Sequence, residues 1–329
     1  MTAATRIGIV GAGRTRNGLG PFLASALERA GLEVAAVAGR DLASARRAAA
    51  ALGAGLGHGV EACASLDELA AGVDALVISS PAEAHLEALE VALAAGLPCL
   101  CEKPLALPEQ TERGLAVAAA FEAAGVLLME NCQWPFVLPA LHALWPELAA
   151  TATAVASLEM GLGPTGRGPT MVRDSLSHVL SLAQSVADID AEAGVGAVRQ
   201  VDAAATAERN VVQFELRRQD GGTLAVALHL EHRERQPRPA WIALDGRRVD
   251  RRLGPDYSWS LVTGDGREQA LPDPMHALVY RFAAAQNPGP LDPGPLDDPR
   301  IHIRAIVARL RWFSAIIGRL DGFGSGPGR

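Results

Sequence analysis

The sequence has few cysteines, and none of them belongs to a Cys-x-x-Cys pair. Its four cysteines among 329 residues are Cys63, Cys99, Cys101 and Cys132. Cys99 and Cys101 stand two apart on one predicted strand, so their side chains share a sheet face without favouring a bridge between them. The spacing predicts neither a disulfide framework nor a zinc site, and we expect reduced, buried thiols.

Long apolar runs and an excess of basic residues are also absent. No run approaches the ~20 apolar residues of a membrane helix, and residues 1–10 lack the charged segment and long apolar stretch of a secretory signal. The net charge is −7. Nucleic acids and anionic membrane surfaces select basic proteins, so neither is expected as a partner. We expect a cytoplasmic protein.

The first part of the chain alternates short apolar runs with alanine-rich segments of helical period. Near-continuous apolar strands separated by helices are typical of a parallel sheet that is covered on both faces. Residues 1–130 are therefore predicted to form a doubly wound α/β domain of the Rossmann type, which binds dinucleotides. The predicted strands lie in RIGIVGAG, EVAAVAG, VEAC, ALVISSP, PCLCEKP and VLLMEN.

The pattern changes after residue 130. Longer strands with polar alternation and tight turns such as Asp245-Gly246 predict a largely antiparallel, open sheet. A strong helix in DSLSHVLSLAQSVA interrupts the strands, and two more helices are predicted near 275–286 and 301–317. Residues 131–329 are therefore predicted to form a second domain of the α+β class.

A lengthened glycine-rich turn follows the first predicted strand. Gly11 and Gly13 take the first two positions of the G-x-G-x-x-G fingerprint, but Arg16 stands at the third. Gly20, at the start of the next helix, is the displaced third glycine. A pyrophosphate is expected on the N–H groups of this helix start, with Arg14 adding positive charge. The alternative is a glycine-rich surface turn without a ligand.

The end of the second predicted strand bears on the choice of cofactor. An NAD site usually ends this strand with an acidic residue that binds the ribose hydroxyls. Here Gly39 is followed by Arg40, whose guanidinium suits a 2′-phosphate, so NADP is favoured over NAD. Asp41 either reaches the ribose or caps the following helix.

The segment SSPAEAHLEALEVALAAGLPCLCEKPL, from Ser79 to Leu105, resembles the glucose-fructose oxidoreductase and inositol dehydrogenase family, called Gfo/Idh/MocA. It has the Ser/Pro turn of that family at Ser79 and Pro81, the histidine at His85, and the strand that ends in Glu102-Lys103-Pro104. The resemblance implies that Lys103 lies near the nicotinamide and the substrate. It also assigns Ser79, Pro81, His85 and Glu102 to the cofactor site, although a histidine at a helix start is equally often a surface residue.

Further marks of the family stand in the second domain. Asp174 and His178 are four apart on the predicted helix, so both side chains can project from one face. By spacing alone, Asp174 could be a helix cap and His178 a core residue. Together with Lys103, the resemblance implies a catalytic set in which His178 exchanges the hydroxyl proton, Asp174 orients its ring and Lys103 binds the substrate oxygen.

The segment MENCQWPF departs from the family, many of whose members carry an Asn-Arg-Arg type of sequence there. Asn131 matches, whereas Gln133 and Trp134 replace the basic pair. Because this segment usually lies close to substrate, the resemblance implies that Asn131 and Trp134 are substrate residues. Trp134 either stacks on a sugar ring or packs at the domain seam.

Two further groups of residues bear on what the second domain binds. His229 and His232 stand three apart on a predicted strand and so point to opposite faces, which argues against a metal site. We predict no metal. A run of arginines forms either a solvated sheet face or a pocket for an anionic substrate. These arginines are Arg233, Arg235, Arg238, Arg247, Arg248, Arg251 and Arg252.

The resemblance implies an oxidoreductase that uses NADP, or alternatively NAD, to interconvert a secondary alcohol and a ketone on a sugar, cyclitol or related polyol. It gives the second domain substrate binding and oligomerisation. A homodimer or homotetramer is expected, paired through a sheet face predicted to be apolar and uncovered. Two alternatives are the reduction of another C=X bond, such as an imine or dihydrodiol-type substrate, and a nucleotide-sensing regulator without catalysis.

Overall fold

The chain divides into two compact units, which are described separately below. A computed structural model describes residues 4–13, 19–150, 155–201, 206–254, 258–286 and 299–324. The first unit comprises Met1–Asn131 and Met275–Val307, and the second comprises Cys132–Pro274 and Ala308–Arg329.

The first unit contains a parallel sheet of six strands. The strands are β1 (Arg6–Val10), β2 (Glu33–Ala38), β3 (Glu61–Cys63), β4 (Ala75–Ile78), β5 (Cys99–Cys101) and β6 (Leu128–Glu130). Their order in the sheet is β3-β2-β1-β4-β5-β6, and every neighbouring pair is parallel. The residues of β4, β5 and β6 are all buried. The doubly wound fold predicted from the apolar runs is confirmed, with its reversal of strand order between β1 and β4.

Helices connect these strands and pack their small apolar residues against the sheet. They are α1 (Leu19–Arg29), α2 (Leu42–Leu56), α3 (Leu66–Ala71), α4 (His85–Ala94) and α5 (Thr111–Ala124). In α1, Leu23, Ala24 and Leu27 are buried. α2 ends at Gly57, whose φ of 82° is a left-handed conformation that glycine adopts without strain. These helices return the chain from the carboxyl edge of the sheet to its amino edge, so that every strand ends at the carboxyl edge, where the candidate site lies.

The second unit contains a mostly antiparallel sheet of eight strands, as predicted. Its order is β14-β13-β12-β11-β7-β10-β9-β8, in which only the β7–β10 pair is parallel. The strands are β7 (Ser157–Leu162), β8 (Val198–Val201), β9 (Arg209–Arg217), β10 (Thr223–Glu231), β11 (Ala240–Leu244), β12 (Arg247–Leu253), β13 (Trp259–Thr263) and β14 (Glu268–Leu271).

Five further helices complete the described chain. They are α6 (Leu138–Leu144), α7 (Pro146–Ala150), α8 (Pro169–Val186), α9 (Pro274–Gln286) and α10 (Pro299–Gly324). One face of the second sheet forms a single apolar core with α8 and with the part of α10 that belongs to this unit. That core includes Leu158, Phe214, Leu180 and Trp312. Within the described residues, no helix is both long enough and apolar enough to cross a membrane.

The opposite face of the second sheet is polar, which corrects the expectation of an apolar face. The outward positions include Glu159 and His229, whose side chains pair at 3.0 Å between Oε2 and Nε2. The Arg248 guanidinium lies 4.2 Å from the ring centroid of Trp241. Strand alternation directs the apolar residues to the core face and leaves charged residues outside. All four cysteines are buried, as predicted, and none of them takes part in a disulfide.

Candidate functional site

The turns after β1 and β4 meet at the point where the strand order reverses. Gly11 has a φ of +87°, and a Cβ added there would lie 2.4 Å from the Cα of Ser80. A Cβ on Gly20 would lie 2.7 Å from the Cα of Ala12. Gly13 is exposed, and no atom of the described residues lies within 4 Å of a Cβ added there. The glycines thus bring α1 and the β4 turn against the β1 turn and leave a cradle beside Gly13. Arg14, predicted to assist there, lies outside the described residues.

At the end of β2, Asp41 is the N-cap residue of α2. Its Oδ1 accepts a hydrogen bond from the Ser44 backbone N–H at 2.6 Å, and this bond first among several causes lowers the pKa of Asp41. The Arg40 side chain is 88% exposed, with its Nε 3.5 Å from an Asp41 oxygen. A Cβ on Gly39 would lie 2.5 Å from the Ser44 Oγ. This strand end therefore presents a guanidinium to solvent, and the cap role of Asp41 is confirmed.

A buried polar cluster lies at the carboxyl ends of β5 and β6. The Asn131 amide donates a hydrogen bond to Oε1 of Glu102, and both residues are buried. Oε1 of Glu130, also buried, accepts the Leu105 backbone N–H at 3.0 Å. Lys103 directly follows Glu102 in the chain and is half-buried. The two carboxyl groups and the amide hold the Glu102–Leu105 turn on the same sheet edge as the glycine turn.

Burial raises the pKa of Glu102 to about 7, while the charge of Lys103 and the hydrogen bond from Asn131 oppose that shift. A carboxyl group with this pKa exchanges its proton near neutral pH. The cluster therefore places a titratable group next to the predicted catalytic lysine.

His85 does not offer a ring nitrogen to a cofactor, which corrects its predicted role. It is 1% exposed, and its Nδ1 and Nε2 each lie 2.9 Å from a carbonyl oxygen, those of Pro104 and Ser80 respectively. Burial lowers the pKa of His85, and the bonds to Ser80 and Pro104 oppose this effect. The ring of His85 instead connects the turn after β4 to the turn after β5. Its burial also excludes the alternative that His85 is a surface residue.

The Ser79-Pro81 turn has a structural role in the same region. The Ser79 N–H and Oγ both donate to the Val10 carbonyl oxygen, at 2.8 and 3.3 Å. Pro81 is exposed and precedes a short turn at Ala82–Ala84. Ser79 thereby joins β4 to the end of β1, while Pro81 remains on the surface beside them.

In the second unit, Asp174 and His178 lie on α8. The helix cap is Gly168, so Asp174 stands well inside the helix and is not its cap. Asp174 is exposed and His178 is half-buried. The spacing of four places both side chains on one helix face, as predicted.

Trp134 lies in the apolar core of the second unit, which corrects its prediction as a substrate residue. It is 2% exposed, and its ring meets Trp259 edge to face at 5.5 Å between centroids. Its indole is therefore covered and has no face left for a sugar ring. Asn131 is buried, and its hydrogen bond to Glu102 helps to hold the turn after β5.

Sequence reasoning missed Glu130 and Ser80 as parts of the site. Glu130 ends β6 immediately before Asn131, and an acidic residue that closes an apolar strand of a parallel sheet was an available clue. The role of Ser80 rests on the carbonyl that it offers His85 and on its close approach to Gly11. No local pattern in the sequence reports such contacts.

Residues 5–132 match the GFO_IDH_MocA family model, described as an oxidoreductase family with an NAD-binding Rossmann fold. Inositol 2-dehydrogenase from Streptomyces avermitilis is 51% identical over 75 residues, which are 23% of this chain and 21% of that protein. Inositol 2-dehydrogenase 4 from Saccharopolyspora erythraea is 36% identical over 132 residues, or 38% of this chain and 35% of that protein. The chain thus matches between 21% and 35% of the length of these relatives.

Two solved structures show how far the fold likeness extends. UDP-N-acetylglucosamine 3-dehydrogenase GnnA from Acidithiobacillus ferrooxidans has a TM-score of 0.67 at 23% identity, over 97% of this chain and all of that chain. KijD10, a 3-ketoreductase from Actinomadura kijaniata in complex with NADP, has a TM-score of 0.65 at 21% identity, over 95% of this chain and 97% of that chain. At these identities the likeness shows the fold alone.

Proposed function

We propose that this chain, whose residues 5–132 match the family model of the Gfo/Idh/MocA oxidoreductases, is a dehydrogenase of that family acting on a secondary alcohol. Its substrate is a sugar, a cyclitol or a related polyol. One observation supports this proposal most directly. The Gly11–Gly13 cradle follows β1 and the Glu102-Lys103 turn follows β5, so both lie at the carboxyl edge of the same parallel sheet. Ligands of doubly wound sheets bind at this edge.

The residues at this edge fit a dinucleotide. The open space at Gly13 leaves room for a pyrophosphate, and the close packing at Gly20 lets α1 start beside it. The bound cofactor would supply the hydride acceptor or donor. NADP is proposed ahead of NAD, because Asp41 is engaged in its helix cap and Arg40 is the exposed charge at the end of β2.

The proposed proton-transfer residues are Lys103, Asp174 and His178. Lys103 hydrogen-bonds the substrate oxygen, and His178 takes or returns the hydroxyl proton. Asp174 orients the imidazole and stabilises its charged form. The proposal is supported by the position of Lys103 beside a buried carboxyl group and by the common helix face of the other two. A general base must also reach solvent or substrate, and the exposure of Asp174 and His178 meets that condition.

The substrate class is supported by the relatives. The proteins similar in sequence include inositol 2-dehydrogenases. A cyclitol or a sugar presents a ring carbon that bears a hydroxyl group, which is the group that a nicotinamide cofactor oxidises.

A turnover screen tests this proposal. Inositols, free polyols, keto-sugars, a UDP-sugar and a cyclic imine would each be offered with NAD, NADP and their reduced forms, and the absorbance of the reduced nicotinamide would be followed. We expect turnover with at least one polyol or keto-sugar, and its loss in Lys103→Met. Reduction of an imine alone would favour another C=X substrate. Tight nucleotide binding with no turnover in the whole screen would instead favour the regulator.

A further inference from the structure

The arginine run around β12 divides into two groups, apart from Arg235, which is exposed and has no ion pair among the described residues. Most of its described members point outward and form an ion pair with a carboxylate, as expected of a solvated sheet face. The nitrogen–oxygen distances of these pairs are 2.8 Å for Arg233 with Glu231, 3.6 Å for Arg247 with Glu147, 2.7 Å for Arg248 with Asp250 and 2.6 Å for Arg252 with Glu268.

Arg238 and Arg251 form the second group. The Arg251 Nη2 donates to the Arg238 carbonyl oxygen at 2.5 Å, and its guanidinium lies 4.7 Å from the ring centroid of Trp259. The Nε of Arg251 is buried without a hydrogen-bond partner. In the part of the chain that the structure describes, neither arginine has a carboxylate within 4.0 Å. Two guanidinium groups thus stand together without a paired counter-ion.

The surroundings of Arg251 disfavour its charge. Burial first, and then the positive charge of Arg238, lower the pKa of Arg251 to about 10, while Asp273 opposes the shift only in part. A like-charge pair in a partly desolvated place is unfavourable unless an anion neutralises it. A bound anion would relieve this repulsion and accept a hydrogen bond from the Nε of Arg251.

A cavity of about 390 Å³ opens beside the two arginines. We propose that Arg238 and Arg251 bind an oxyanion in this cavity, the phosphate or carboxylate group of a small molecule. The planar guanidinium fork matches two oxygens of such a group. The acidic residue at the cavity, Asp250, is held by both Nε and Nη2 of Arg248, which offsets its repulsion of an anion. Pro237 and Pro239 flank Arg238 and restrict its backbone.

Inorganic phosphate is the first probe, with binding followed by calorimetry and by the fluorescence of tryptophan, since Trp259 lies under Arg251. In Arg238→Gln and Arg251→Gln we expect roughly 10- to 100-fold weaker binding, the effect of losing a charge-assisted hydrogen bond. Arg247→Gln is the matched control, because it removes an arginine of the same strand that has a carboxylate partner, Glu147, and does not line the cavity. Its phosphate affinity should equal that of the unaltered protein.

Thermal unfolding at low ionic strength gives an independent readout. Without phosphate, Arg238→Gln removes the like charge and should raise Tm by about 2–4 °C. Added phosphate should raise Tm of the unaltered protein, and the same rise in the variant should need roughly 10- to 100-fold more phosphate. If Arg251→Gln does not fold, Arg238→Gln and the charge-preserving Arg251→Lys carry the test.

Glucose 6-phosphate and acetate identify the source of the oxyanion. Tighter binding of glucose 6-phosphate than of inorganic phosphate assigns the site to a phosphorylated organic ligand, equal binding assigns it to free phosphate, and tighter binding of acetate assigns it to a carboxylate. Equal affinities in all variants, or no anion binding at millimolar concentration, overturn the proposal. The site lies within the second unit and its test needs neither cofactor nor turnover, so its failure is distinct from failure of the proposed dehydrogenase.

Discussion

At the scale of single residues, Glu102 is the buried acid whose proton most affects the first unit. Its usual pKa of 4.5 rises to about 7 because burial disfavours the carboxylate. The folded protein therefore holds this proton more tightly than the unfolded chain does. The resulting contribution to stability is complete below pH 4.5 and is lost as the pH rises through about 7.

Glu102→Gln should remove this pH dependence. At pH 8 the variant should be more stable than the unaltered protein by about 3 kcal/mol at most, and at pH 4 the two should be equal. Denaturant unfolding across this pH range measures the difference. Glu61→Gln, at an exposed carboxylate, serves as the control and should change nothing. An unaltered slope between pH 5 and 7 in Glu102→Gln would show that the acid is already ionised in the folded state.

Arg40→Ala tests the proposed choice of cofactor. Loss of its guanidinium should weaken NADP binding by roughly 1.5 to 3 kcal/mol, the range for a charge-assisted hydrogen bond, and leave NAD nearly unaffected. Calorimetric titration of both nucleotides measures this. Arg113→Ala, at an exposed arginine paired with Glu90, is the control. Equal losses for both nucleotides would point to a structural role for Arg40, and an initial preference for NAD would contradict the prediction.

The proposed proton-transfer residues can be tested by kinetics once a substrate is known. Lys103→Met and His178→Ala should each lower kcat by a factor on the order of 10² to 10⁴, with little change in cofactor affinity. The double variant should be far less impaired than the product of the single effects, because the residues serve one proton path. Asp174→Asn should slow turnover less and shift the pH profile. Full activity in His178→Ala would exclude the helix pair from this role.

At the scale of elements, the candidate site depends on turns that are joined across the sheet edge. The buried imidazole of His85 contacts the carbonyl oxygens of Ser80 and Pro104, which belong to different turns. A neutral imidazole carries a single N–H and donates to one carbonyl at a time, whereas the charged form donates to both. The hydrogen bonds made by Glu102, Glu130 and Asn131 hold the turn after β5 in place.

His85→Phe should therefore destabilise the first unit by about 1–3 kcal/mol, because the Ser80 or Pro104 carbonyl oxygen loses its N–H donor. We also expect weaker cofactor binding, since the turn after β4 would lose its anchor. Chemical unfolding and nucleotide titration provide the two measurements. His58→Phe is the matched control, because that half-buried histidine pairs with Glu28 on the outside of the domain. Similar losses in both variants would argue against a special function of His85.

At the scale of the whole molecule, the open face of the second sheet is the proposed oligomer surface. It combines Trp241, stacked by Arg248, with the Glu159–His229 pair, and tryptophan and arginine are typical of the centres of protein interfaces. We propose a homodimer or homotetramer. Sedimentation should give a mass above 34.3 kDa. Trp241→Glu should shift the mass towards the monomer, while Ser258→Glu, outside the strands, should not. A monomer at micromolar concentration would refute the oligomer.

The sequence by itself determined the fold class and the position of the dinucleotide edge. Apolar runs, helical periods and glycine spacing are local properties, so the six parallel strands, the capping role of Asp41 and the displaced Gly20 were predictable from neighbouring residues. The family motif likewise located Lys103, because it is a short contiguous pattern.

Only the tertiary structure decided what lies against those residues. The burial of Trp134 against Trp259, the two carbonyl contacts of His85 and the contact between Asn131 and Glu102 join positions that are distant in sequence. The same holds for the pairing of Arg238 with Arg251 apart from the carboxylates that neutralise their neighbours. Desolvation and hydrogen bonding depend on which groups the packed chain brings together, and no local pattern encodes that.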